Sequence, residues 1–254
     1  MEKVIEESCE KNSNCDDSLY IIIPAYNERD NIRTVVEEWY PIVEAHSGNG
    51  ASRLVIIDDG SKDDTLAILR SLTEDRPLLE VVAKANGGHG ATVLYGYHLA
   101  LNKGADYVFQ TDSDGQTRPA EFEQFWRLRQ ENDMVIGWRK GREDGCSRVI
   151  VTKVLKLVIR LCFGVSVADA NTPFRLIKVP TLRKYIGLIP ENYHLSNVLL
   201  AVIFSKKCCA VTYLPITFRP RQGGINSINI RRIIGIGWRA IKDFSQIAKV
   251  ISSK

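Results

Sequence analysis

Along the first 137 positions apolar residues come in short runs, and each run ends in a polar, turn-forming cluster. "LYIIIPAYNERDN" starts as a β-branched run and breaks at Pro24 and Asn27, which predicts a buried strand and a turn. From Asn31 to about Ala45, Ile32, Val35, Val36 and Trp39 recur at helical spacing, with Asn27 or Asp30 as candidate cap. "RLVIIDDGSKDDT" repeats the theme before the helix "TLAILRSL". "LLEVVA" is a third strand, "GHGATVLYGYHLALNKG" a glycine-started helix and "DYVFQT" a fourth strand. "PAEFEQFWRLRQ" is a helix with Pro119 in its first turn, and "DMVIGW" is a fifth strand. Strands alternating with helices at these intervals predict an α/β fold: a Rossmann-like, mostly parallel, doubly wound sheet flanked by helices. In such sheets ligands sit beyond the carboxyl ends of the strands, where Asp58, Asp59, Asp112 and Asp114 fall.

After Gly137 the pattern changes to basic helices, "VTKVLKLVIRLCF" and "NIRRIIGIGWRAIKDFSQIAKVI", with the strand "VTYLPITFR" between them. A chain of 254 residues, 44% hydrophobic, suffices for one large domain. Its net charge of +4 is too mild to imply nucleic acid. The cations are nevertheless clustered: Arg139, Lys140, Arg142, Arg148, Lys153, Lys156 and Arg160 crowd one segment, and Arg219, Arg221, Arg231, Arg232, Arg239 and Lys242 another. The second half therefore suits an anionic partner. Six cysteines without CxxC spacing and a start without a secretory apolar stretch fit a reducing cytoplasm. No charge-free run is long enough to require a bilayer span. In the last segment Ile228, Ile230, Ile233, Ile234, Ile236, Trp238 and Ile241 interleave with arginine and lysine. That suits a helix lying in an anionic interface, or one docked on its own domain.

Chemistry concentrates in "YVFQTDSDGQT". Residues two apart share a face in extended chain, so Asp112, Asp114 and Gln116 align their oxygens if strand geometry persists. Mg²⁺ or Mn²⁺, held by one or two carboxylates plus phosphates and water, suits that set; Asp-Gly turn chemistry is the plain alternative. A calcium loop is excluded, because Thr117 stands where glycine is required and Pro119 follows. Asp58 and Asp59 can accept hydrogen bonds from a nucleobase or ribose, while Ser61 or Asp63 caps the next helix. "NGGHGAT", containing Gly88, either lets backbone approach a phosphate or is a tight turn. His89, with His46, His98 and His194, reads as structural or solvent-facing.

Together "IIIPAYNERDNI", "VIIDDGSKDDT", "NGGHGAT", "YVFQTDSDGQTRP", "VIGWRKGRE" and "DANTPFRLIK" resemble the inverting family 2 glycosyltransferases of the GT-A fold. The likeness is strongest to the dolichol- or polyprenol-phosphate mannose and glucose synthases, and it runs from Leu19 to Lys178. It implies a nucleotide-binding turn at Pro24, Tyr26, Asn27 and Glu28, base and ribose contacts at Asp58 and Asp59, and metal ligands at Asp112, Asp114 and Gln116. Arg139 matches the arginine that faces phosphate, and Arg175 the one that ends "DANTPFR". Trp138, Thr172 and Pro173 depart from the family's small residues. The activity implied is Mg²⁺- or Mn²⁺-dependent inverting transfer of a hexose from a nucleoside diphosphate sugar to a membrane-associated acceptor, polyprenyl phosphate above all. A glycan hydroxyl acceptor is one alternative, and a catalytically silent nucleotide-sugar binder another. A hydroxyl acceptor needs a general base, for which Asp169 and Glu191 are the candidates. A lipid phosphate needs none, and Arg139, Arg148, Arg175, Arg219 and Arg221 offer it donors. The expected organisation is a tail (1–18), a GT-A domain (19–227, with a donor part to about 137 and an acceptor-side part beyond) and an amphipathic helix (228–254). The paired transmembrane helices of some relatives are missing from this reading, so a cytoplasmic protein is expected, either soluble or peripheral at the cytoplasmic membrane face.

Overall fold

The computed structural model describes residues 17–48, 50–139, 146–219, 244, 247 and 248, with backbone alone for 146–151. Seven strands form one sheet: β1 (Leu19–Ala25), β2 (Arg53–Asp58), β3 (Leu79–Ala83), β4 (Tyr107–Thr111), β5 (Met134–Arg139), β6 (Phe174–Lys178) and β7 (Val211–Ile216). Their order is β3-β2-β1-β4-β6-β5-β7. β1, β2, β3 and β4 pair in parallel, with Ala25 opposite Asp58 and Ile22 opposite Gln110. β6 runs antiparallel to both its neighbours, and β7 is parallel to β5.

The period of two along the strands divides the core. Leu19, Ile21 and Ile23 of β1 join Leu54 and Ile56 of β2 under α1 (Ile32–Ala45), α2 (Thr65–Leu72) and α4 (Phe122–Arg127). Tyr20, Ile22, Val55 and Ile57 face the other way, under α3 (His89–Asn102), α5 (Cys146–Phe163), α6 (Val179–Tyr185) and α7 (Ser196–Lys206). Helices thus cover both faces of a mostly parallel sheet, as the alternation of runs predicts. α3 lies especially close, since a Cβ on Gly96 would stand 2.7 Å from Cδ1 of Ile57 and 3.0 Å from Cδ1 of Ile22.

Three elements are not anticipated by the hydrophobic pattern. β6 is hidden inside "DANTPFRLIK", and α6 follows it directly. α7, "SNVLLAVIFSK", is buried on every side from Ser196 to Phe204, so it carries no polar stripe for periodicity to find. Capping also differs: Asn31 occupies the position before α1 without a side-chain cap. Asn27 instead sits at φ 55, and its Oδ1 accepts from the Lys62 N–H at 2.8 Å. Most of the tail and most of 228–254 lie outside the described residues, as do Arg221 and the side chain of Arg148. Phe244, Ile247 and Ala248 do pack on the core, with the Phe244 ring 5.3 Å from that of Phe163. Their spacing is one helical face, so docking on the chain's own domain holds for this turn.

Candidate active site

The carboxyl ends of β1, β2 and β4 open into a cleft of about 390 Å³. Pro24, Tyr26 and Glu28 line it from β1, Asp59 from β2, Gly88, His89 and Thr92 from the start of α3, and Asp112 and Asp114 from the end of β4. The two loops beside it are bolted together. Asn27 N–H donates to Ser61 Oγ at 3.0 Å, and Glu28 N–H to Thr65 Oγ1 at 2.8 Å. The side chain of Glu28 accepts from Asn31 Nδ2 at 2.9 Å.

Asp58 and Asp59 are both buried but serve differently. Asp58 takes the Ser61 N–H at 3.2 Å on Oδ2, while its Oδ1 is buried with no hydrogen-bond partner. Asp59 accepts from the Lys84 ammonium and from the N–H groups of Gly87 and Gly88, each at 2.9 Å. Burial pushes its carboxyl up, but the bonds from Lys84, Gly87 and Thr92 outweigh it and hold the group below the usual range. Asp59 therefore pins the glycine turn that starts α3, where Gly88 has φ 84. Gly90, two residues on, is pressed against the turn before α7: a Cβ there would stand 2.4 Å from the Tyr193 carbonyl oxygen.

β4 ends at Thr111, so the alternation expected across Asp112, Asp114 and Gln116 does not persist. The chain bends instead, with Gly115 at φ 68. The bend still turns Asp112 and Asp114 to the cleft. Gln116 is engaged beside it, donating from Nε2 to the Arg219 carbonyl at 3.0 Å and accepting the Arg219 N–H at 2.8 Å. Asp112 is a quarter exposed, through the cleft mouth. Burial, relieved by His89 and reinforced by Asp114, pushes its carboxyl up to about 6. His89 Nε2 stands 3.7 Å from Asp112 Oδ1, so this half-exposed histidine faces the site. It is solvent-facing, as expected, and it also lines the cleft from the first position of α3. Among the described residues no three His, Cys, Asp or Glu side chains gather as a closed metal cage. Two carboxylates at an open cleft do fit a hard divalent cation that takes its remaining ligands from phosphate oxygens and water.

Behind Asp112 lies a buried amide chain. Asn197 Nδ2 of α7 donates to Gln110 Oε1 at 3.2 Å, and Gln110 Nε2 donates to Asp112 Oδ1 at 3.1 Å. The Asn197 carbonyl in turn accepts from Arg175 at 2.9 Å. Such outer partners fix the orientation of a ligating oxygen. Asn197→Leu is expected to weaken Mn²⁺ binding by about tenfold, measured by electron paramagnetic resonance titration of free Mn²⁺.

Arg139 at the end of β5 grips Asp169 with both arms, Nε to Oδ2 at 2.9 Å and a terminal nitrogen to Oδ1 at 3.0 Å. Its guanidinium also lies 5.2 Å from the Phe218 ring centre. Arg175 is fully buried, and its nitrogens donate to the carbonyls of Ala170, Thr172 and Asn197. Burial lowers its pKa. It thus supplies a cation beneath the site and does not line the cleft. Arg219 pairs with Glu38 at 2.9 Å. Glu191 is exposed in the turn before α7.

A doubly wound sheet with two carboxylates at the end of β4 and a nucleotide-sized cleft over β1 and β2 defines the GT-A class of glycosyltransferase architecture. The sequence profile of glycosyl transferase family 2 matches residues 20–182, and the chain belongs to that family. Among characterised relatives, the undecaprenyl-phosphate 4-deoxy-4-formamido-L-arabinose transferase of Salmonella choleraesuis is 24% identical over 220 residues, covering 85% of this chain and 64% of that protein. The enzyme of the same name from Pseudomonas syringae is 29% identical over 158 residues, covering 61% and 45%. The chain thus spans less than two thirds of the length of either. Glucosyl-3-phosphoglycerate synthase of Mycobacterium tuberculosis, solved with Mn²⁺ and UDP-glucose, superposes with a TM-score of 0.67 at 16% identity, covering 93% of this chain and 80% of that one. Its complex with Mn²⁺, UDP and phosphoglyceric acid gives 0.66. These likenesses establish the shared fold. Among the described residues no helix is long and apolar enough to cross a membrane.

Proposed function

We propose that this protein transfers a glycosyl group from a nucleoside diphosphate sugar to a polyprenyl phosphate, with inversion at the anomeric carbon. The observation that carries the choice of acceptor is the Arg139–Asp169 clasp: the carboxylate best placed to be a base is held through both oxygens, and Glu191 is exposed away from any such contact. A phosphate nucleophile is already ionised at neutral pH and asks for cations. The names of the undecaprenyl-phosphate relatives point the same way.

In this reading the donor's base and ribose lie over Pro24, Tyr26 and Asp59 of the cleft wall, while Asp58, buried outside that wall, keeps Oδ1 without a partner and Asn27 holds the turn beside it. Gly88 and His89 border the diphosphate, and Asp112 and Asp114 hold Mg²⁺ or Mn²⁺ on it. Bound there, the cation supplies neutralisation of the charge that develops on the leaving diphosphate. Arg139, oriented by Asp169, presents donors to the acceptor phosphate, and Arg175 adds positive potential from below. Contact with the membrane surface follows from an acceptor that resides there.

The test is incubation with labelled sugar nucleotides, Mn²⁺ and undecaprenyl phosphate. A lipid-extractable product with the anomeric configuration opposite to the donor's is expected. Label transferred to a glycan but to no lipid phosphate would overturn the acceptor.

A further inference from the structure

α5 is apolar on two sides. One side buries Val158, Ile159 and Phe163 in the core. Away from it Val154, Leu157 and Leu161 are 48%, 57% and 76% exposed, three of the five large hydrophobic side chains exposed among the described residues. Spaced three and four apart, they form one row along the helix. Lys153, Lys156 and Arg160 are exposed beside the row, and the helix contains no acidic residue. A helix covered only by water would carry polar residues where this row stands.

We propose that α5 rests on an anionic lipid surface, with Val154, Leu157 and Leu161 sunk at the headgroup boundary and Lys153, Lys156 and Arg160 on lipid phosphates. The assignment deepens the lipid-acceptor reading above and rests on it. Charge selects this occupant. A second copy of the face would set cations against cations, and the described turn of the chain's own C-terminal segment meets α5 at Phe163, on its core side. Position agrees. The chain leaves the site at Arg139 to build α5 and returns to it at Asp169, and those two residues are clasped at 2.9 and 3.0 Å. The clasp thus ties the end of β5 to the chain that returns from α5, so the segment carrying the row is anchored at the site.

Flotation of the full chain with phosphatidylcholine vesicles, with and without phosphatidylglycerol, tests this. Wild type is expected to float only with the anionic vesicles and to be released by high salt. The double variants Leu157→Glu/Leu161→Glu and Lys153→Glu/Lys156→Glu are each expected to lower the bound fraction by about tenfold or more. Transfer to undecaprenyl phosphate in vesicles falls in parallel, while transfer to a short, water-soluble polyprenyl phosphate stays within about twofold of wild type, which also shows that the variants fold. Wild type that does not float, or variants that float equally well, overturns the proposal. So does a Leu157→Glu/Leu161→Glu variant that changes the sedimentation of the protein from dimer to monomer, since a second copy would then be the occupant. If neither wild type nor variants transfer to the short acceptor while their flotation differs as stated, the acceptor reading fails and the surface assignment stands.

Discussion

Asp112→Asn is expected to reduce glycosyl transfer by about 100-fold or more while making the metal-free protein more stable. The two effects share a cause. Asp112 is held in a crowded, largely desolvated place that pushes its carboxyl up to about 6, above its ordinary 3.8. Below the ordinary value the carboxyl is protonated both folded and unfolded, and it costs nothing. As pH rises from 3.8 to about 6 the unfolded chain gives up the proton that the folded carboxyl keeps, so the metal-free fold loses stability across that window and the loss is complete above it. The quarter of the side chain open to the cleft lets water moderate the cost, leaving about 1 kcal/mol, or about 2–4 °C in Tm at pH 8. Asparagine keeps the Gln110 contact within reach and carries no charge to bury. Thermal melts from pH 3.5 to 8 in chelator, repeated with Mn²⁺ and UDP, give the check. Wild type gains stability from Mn²⁺ and the variant does not; a variant still stabilised by Mn²⁺ would remove Asp112 from the metal site.

The second large effect concerns the clasp. Arg139→Lys keeps the positive charge but loses the planar fork that meets Asp169 with two bonds. KM for the lipid acceptor is expected to rise by about tenfold or more, with KM for the donor unchanged. Asp169→Asn frees the arginine from its charged partner. For a phosphate acceptor its loss falls on acceptor KM and leaves the pH dependence of kcat in place. A hydroxyl acceptor would demand the opposite, a collapse of kcat and loss of the acidic limb of the profile. Steady-state kinetics with both substrates varied, from pH 5.5 to 9, separate the two.

The first half of the fold is legible because each strand is a short β-branched run that stops at a polar loop, and those loops are where the cleft opens. Asp58, Asp59, Asp112 and Asp114 are found for that reason. What they do is less legible. Asp59 turns out to brace Gly87 and Gly88, because Lys84, 25 residues away in sequence, comes back to it. Arg175 looks like one more phosphate ligand until its complete burial among main-chain carbonyls is seen. Gln110 reads as an ordinary strand residue, since its partner Asn197 lies 87 positions on, in a helix with no polar stripe. In each case the deciding partner is supplied by the tertiary fold, and no local spacing announces it.

β6, the one strand that runs against its neighbours, enters the sheet at the same edge from which β4 and β5 leave. Its leading flank, Asp169 to Pro173, is thereby delivered to the rim where the donor carboxylates stand. Both ends of the segment that carries α5 are tied to that rim by the clasp, and its core side is fixed by Val158, Ile159 and Phe163, so it is the outward row of α5 that can be exchanged without disturbing the register of the parallel strands. On the proposed acceptor reading, this segment is a cassette plugged into a socket made by one reversed strand.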